Sequence, residues 1–310
     1  MKNQTLEFLN TKIILICFLS LVCSFYAGKS ASVEREPIWL DKENYDIQKE
    51  GDFCPKKQEI LYNHHFVLID ATTPLDKDRI GLIQRLILNK DYIEKELIPY
   101  DRLTIMILSD EKSPKLNVAS FSKCRFRTGN PGSVYEIDHA NWFYESKTQL
   151  NDIHQEFLNQ LDEVIDELRN KPGSRKTLLM EQIFEISRLA DNGFNSNYQY
   201  QRLTIISDLV QNSERLNMYS GHCKLHSGGK CKSLNSMIKN DKKLKHYLPA
   251  IIPQFKGKVD VEILYLHNNS DPNLDKGVIQ LWRDYFLLAG IDKIKLMYEG
   301  DHSILISKNQ

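Results

Sequence analysis

Two apolar, β-branched runs that each stop at an aspartate constrain this chain most. One is His65-Phe-Val-Leu-Ile-Asp70, followed by Ala71-Thr72-Thr73-Pro74; the other is Leu203-Thr-Ile-Ile-Ser-Asp208, followed by Leu209. Both read as buried strands. In an open parallel sheet the C-terminal ends of neighbouring strands share one edge, and ligands bind in the crevice outside it. Two carboxylates at that edge, with hydroxyls beside them, suit a hard divalent cation such as Mg2+ or Mn2+. The same aspartates would serve equally as caps of the helices that follow. Spacing alone leaves both readings open.

The rest of the pattern alternates helix and strand. Residues 77–88 carry Ile80, Leu82, Ile83, Leu86 and Ile87 at helical spacing, residues 103–108 (LTIMIL) form a second buried strand, and residues 118–126 alternate like an antiparallel edge strand. Residues 147–168 form a long amphipathic helix that Pro172-Gly173-Ser174 ends, and residues 177–189 a further helix. Residues 261–265 read as a strand, 276–289 as a helix and 294–298 as a closing strand. This order predicts an α/β fold: a doubly wound, mostly parallel sheet with helices on both faces, over residues 60–310. Lys plus Arg and Asp plus Glu both number 41, so the whole-protein charge gives no sign of a nucleic-acid partner or of a membrane surface.

Residues 13–28 are sixteen uncharged, largely apolar residues behind Lys2 and Lys12. They predict that residues 1–31 are a signal peptide or a membrane anchor, with residues 32–59 a polar lead-in. The expected location is periplasmic or otherwise extracytoplasmic, with anchoring in an inner membrane as the alternative to cleavage. Cys17 and Cys23 lie in the apolar segment, which leaves Cys54, Cys124, Cys223 and Cys231 in the domain. Four cysteines outside the cytoplasm are compatible with disulfides, and three pairings exist. Cys223 with Cys231 closes the shortest loop, with Cys54 and Cys124 as its companion pair. The competing reading of His222, Cys223, His226 and Cys231 is a zinc site, favoured only in a reducing compartment.

A strand ending D-x-T, a helix opening on a hydroxyl residue and a later strand ending S-D resemble a von Willebrand factor A (VWA) domain across roughly residues 60 to 300. The pattern Ser207-Asp-Leu-Val-Gln-Asn-Ser213 is similar to one in bacterial VWA-like proteins. The family's metal-ion-dependent adhesion site takes D-x-S-x-S from one loop, a Thr from a second and an Asp from a third. On that resemblance Asp70 and Thr72 match the first motif, Pro74 stands where a third hydroxyl would be, and Asp208 matches the third loop, with Leu209 replacing the usual Gly. Thr177 matches the second loop, with Ser174 as its competitor. The resemblance implies metal-dependent binding of a protein partner and no catalysis.

An alternative from the same residues is a metal-assisted hydrolase or phosphatase with Asp70 as nucleophile. Thr72 stands where haloacid-dehalogenase-type enzymes place a second, general-acid Asp, which counts against it. Asp301-His302 follows no nucleophile elbow. His64-His65 is expected ahead of the first strand, at the opposite sheet edge. Trp39, Trp142 and Trp282 are expected to pack in the interior. The lysines at 230, 232, 239, 242, 243 and 245 read as a solvated face, with an acidic partner or anionic lipid headgroups as the alternative, and they lack the aromatic interleaving of a nucleic-acid groove.

Overall fold

The computed structural model describes residues 51–54, 62–108, 119–143, 145–189, 194, 198–219, 223, 231–266, 272–298 and 303–307. Five strands run parallel: β1 (Asn63–Asp70), β2 (Arg102–Leu108), β4 (Tyr200–Ser207), β5 (Val259–Tyr265) and β6 (Lys293–Tyr298). β3 (Phe121–Cys124) pairs antiparallel with β2, and β7 (Ser303–Ser307) antiparallel with β6. Together they make a seven-stranded sheet in the order β3-β2-β1-β4-β5-β6-β7. The chain leaves β1 towards β2 on one side and returns to β4 on the other. The junction of β1 and β4 is therefore the topological switch point of the sheet.

Side chains alternate across each strand, and both faces are apolar. Phe66, Leu68, Leu203 and Ile205 face one core with α4 (Leu179–Arg188), α5 (Leu234–Asn240), α6 (Lys242–Ala250) and α7 (Pro272–Leu288). Val67, Ile69 and Ile206 face the other with α1 (Lys77–Ile87), α2 (Lys90–Glu96) and α3 (Lys147–Arg169). α1 begins at Asp76, whose carboxylate accepts the Arg79 amide, and α3 begins at Ser146, whose hydroxyl accepts the Gln149 amide. Asp70 therefore does not cap α1, and that reading of the first strand end falls.

Two disulfides join Cys54 to Cys124 and Cys223 to Cys231. They are compatible with an extracytoplasmic protein. With those thiols oxidised, a zinc site built on Cys223 and Cys231 is excluded. His222 and His226 lie outside the described residues, as do residues 13–28, Trp39 and Asp301-His302. Among the described residues no helix is long and apolar enough to cross a membrane. Phe53, beside Cys54, is buried against Phe126 and Phe157, so the lead-in supplies a core side chain.

Several elements differ from expectation. His64 and His65 lie inside β1, buried, rather than ahead of it; the His64 Nε2 and the Thr104 hydroxyl are 2.9 Å apart. α4 starts at Leu179, not at Thr177, because Thr177 exchanges backbone hydrogen bonds with Asn212. β6 does not close the sheet, since β7 follows it. Trp282 is fully buried and donates its indole N–H to the Leu209 carbonyl at 2.7 Å, but Trp142 is 80% exposed.

Candidate functional site

Asp70 ends β1 and Ser207 ends β4, side by side at the switch point. The Asp70 Oδ1 accepts the Thr72 amide at 3.1 Å and the Thr72 hydroxyl at 2.6 Å; its Oδ2 accepts the Ser207 hydroxyl at 2.7 Å. The Thr72 and Thr177 oxygens are 2.8 Å apart. Each hydroxyl has one proton. Thr72 gives its proton to Asp70, so Thr177 donates to Thr72, and a directed chain runs from Thr177 through Thr72 to the carboxylate. Ser207 donates to the same carboxylate and accepts the Leu209 amide at 2.8 Å.

Asp208 lies one residue further on, and its Oδ1 accepts the Val210 amide at 3.0 Å. Asp70 and Asp208 line one solvent-open recess of about 210 Å3, with Thr73, Leu75, Arg79 and Leu266. Burial drives the Asp70 pKa up from the ordinary carboxylate value, and its hydroxyl and amide donors only partly oppose this. The Tyr219 phenol is pushed up to about 12, first by burial and then by the charges of Asp208 and Asp70.

Three loops carry these groups and are tied to one another through backbone. The Ser174 amide donates to the Thr72 carbonyl at 2.7 Å, and Thr177 and Asn212 exchange amide bonds of 3.1 and 3.0 Å. Between them, Gly173 sits hard against Pro74: a Cβ there would stand 2.6 Å from the Pro74 Cδ and 2.9 Å from the Thr72 carbonyl oxygen. Leu209 holds a left-handed φ of 60°, a conformation that suits glycine and costs a bulky residue about 1–2 kcal/mol. Its buried side chain and the Trp282 bond to its carbonyl hold it there.

Of the residues expected at the site, Asp70, Thr72 and Thr177 are joined by hydrogen bonds, and Asp208 shares the recess with Asp70. Ser174 is not brought in: its hydroxyl donates to the Lys176 carbonyl and accepts the Lys176 amide, within its own loop. Ser207 was missed by the sequence reading, although it shares strand parity with Leu203 and Ile205, as Asp70 does with Phe66 and Leu68.

Two carboxylates and the hydroxyls of Thr72, Thr177 and Ser207 are all hard oxygen donors, the kind Mg2+ and Mn2+ accept. A buried carboxylate with a raised pKa and no cation bonded to it among the described contacts fits the same group. Among the described residues no cluster of three His, Cys, Asp or Glu side chains exists, so any ion would rely on hydroxyls and water for the remaining positions. Arg79 lines the recess as a fixed positive charge, which lowers the affinity the two carboxylates would otherwise give. No family model and no curated protein matches the chain.

Proposed function

We propose that this is a VWA-like binding protein on a doubly wound sheet, exported or membrane-anchored, which engages a protein partner through a reduced metal-ion-dependent adhesion site. One observation carries the reading. Asp70, Thr72 and Thr177 come from two separate loops and converge in one hydrogen-bonded chain at the switch point, with Asp208 across the recess.

Asp70, Thr72, Thr177 and Asp208 would hold Mg2+ or Mn2+, directly or through water, and the ion would offer a position to an acidic side chain of the partner. Pro74 supplies no hydroxyl, so water takes that role. A binding role is also favoured over catalysis by Asp70 itself. Its oxygens are engaged by three donors and it is 5% exposed, a poor state for a nucleophile.

Calorimetric titration of the full chain with Mg2+ and Mn2+ tests this. Saturable heat in the wild type, lost in both Asp70→Asn and Asp208→Asn, is expected. Absence of heat, or heat that survives both substitutions, overturns the reading.

A further inference from the structure

The opposite edge of the sheet carries a second surface. β3 is antiparallel, so Cys124 lies beside Arg102, where β2 begins, and the Cys54–Cys124 bond fixes the incoming chain there. The Cys124 amide donates to the Asp52 carbonyl at 2.8 Å, which holds residues 52–54 along the same edge. Residues 125–143 then form a loop beyond the strand starts, and α3 leads back towards the recess. The two edges are about 23 Å apart, from seven residue steps of β1 at roughly 3.3 Å each.

This loop is firmly braced from within. The fully buried Arg127 grips Glu145 with two bonds, of 2.6 and 3.0 Å, and donates to the carbonyls of Ile137 and His139. Arg125 meets Asp138 at 2.6 Å, and Asp138 also accepts the Ser133 hydroxyl and the Thr128 amide. Asp138 in the loop and Glu145 just after it are thus buried and paired with arginines. What the loop turns outward is apolar: Val134 and Trp142 are each 80% exposed and Phe143 is 67% exposed, with the Trp142 and Phe143 rings 3.5 Å apart. Glu136 and Lys147 are the exposed charges among the described residues from 129 to 147.

We propose that this edge is a membrane-docking surface, in which Trp142, Phe143 and Val134 enter the interfacial layer of a lipid bilayer. Two observations select the bilayer as occupant. Aromatic side chains on a rigid, nearly uncharged support prefer the headgroup region, where an apolar ring meets water. The chain that joins the domain at Cys54 also comes from the apolar residues 13–28, which are of a kind to enter a membrane. Residues 29–50 are long enough to reach, at up to about 3.3 Å per residue. With that edge on the lipid, the Asp70 recess faces away from it. The proposal does not require the recess to bind metal.

The test uses the full chain reconstituted in phosphatidylcholine vesicles, with and without bromine on the acyl chains. The emission difference between wild type and Trp142→Phe isolates Trp142. That component is expected to lose most of its intensity with brominated lipid, to resist aqueous iodide, and to depend little on salt because Lys147 is the one exposed cation among the described residues from 129 to 147. Phe143→Asp, at an exposed position, should return Trp142 to iodide. A Trp142 component that brominated lipid leaves unchanged overturns the proposal, whether iodide reaches it (a face in water) or not (a face covered by protein or a second copy).

Discussion

Replacing Gly173 with alanine tests how tightly the recess loops are interlocked. No left-handed φ protects this glycine, so alanine is conformationally allowed and should stabilise by about 0.4–1 kcal/mol through the unfolded chain. Against that, its Cβ would lie 2.6 and 2.8 Å from the Pro74 Cδ and Cγ and 2.9 Å from the Thr72 carbonyl oxygen. A proline ring and a backbone carbonyl cannot swing aside as a flexible side chain does. Overpacking of this kind costs about 1–3 kcal/mol. Strain on the Ser174–Thr72 bond adds up to about 1 kcal/mol. At mid-range values the clash wins, for a net loss of about 2 kcal/mol. Urea unfolding should show a lower midpoint at unchanged slope. Gly81→Ala in α1 is the internal control: its nearest contact is an ordinary 3.5 Å to the Arg85 guanidinium, and it should stabilise by about 0.5–1 kcal/mol. If Gly173→Ala unfolds at or above the wild-type midpoint, the Pro74 loop is not pinned and the account of the site is wrong.

Asp70→Asn should change the pH dependence of stability. Because the folded pKa is raised, the favourable contribution of the protonated carboxyl is complete below the ordinary carboxylate range and lost as pH rises through the raised value. The uncharged variant lacks that loss, so its urea midpoint should gain on the wild type as pH rises from the ordinary carboxylate range through the raised value; parallel profiles would contradict the assignment. Pro74→Ser restores a hydroxyl at the third position of the first loop and should tighten Mn2+ binding several-fold by calorimetry. Unchanged or weaker binding would show that Pro74 is not what limits the site.

The strands at the centre of the sheet were legible because each is a continuous apolar run, and continuous burial is what a covered parallel sheet demands. The short helices α2, α5 and α6 were not, since seven to nine residues hold barely two turns and little periodicity. Thr177 was expected at the candidate site but misplaced in a helix, because its backbone bonds go to Asn212, which is distant in sequence. Ser207 could have been found by strand parity with Asp70. Trp142 could not: an aromatic residue is ordinarily interior, and its 80% exposure is visible only in the folded loop.

The mutual backbone ties among the three recess loops have a thermodynamic consequence. Ser174 with Thr72, and Thr177 with Asn212, order these segments before any ligand arrives. Association then forfeits little chain entropy, and affinity is governed by the exchange of water for new donors. Occupancy should accordingly leave the amides of Ser174, Thr177 and Asn212 exchanging with deuterium at nearly the rate of the free protein, as in a lock that was already cut.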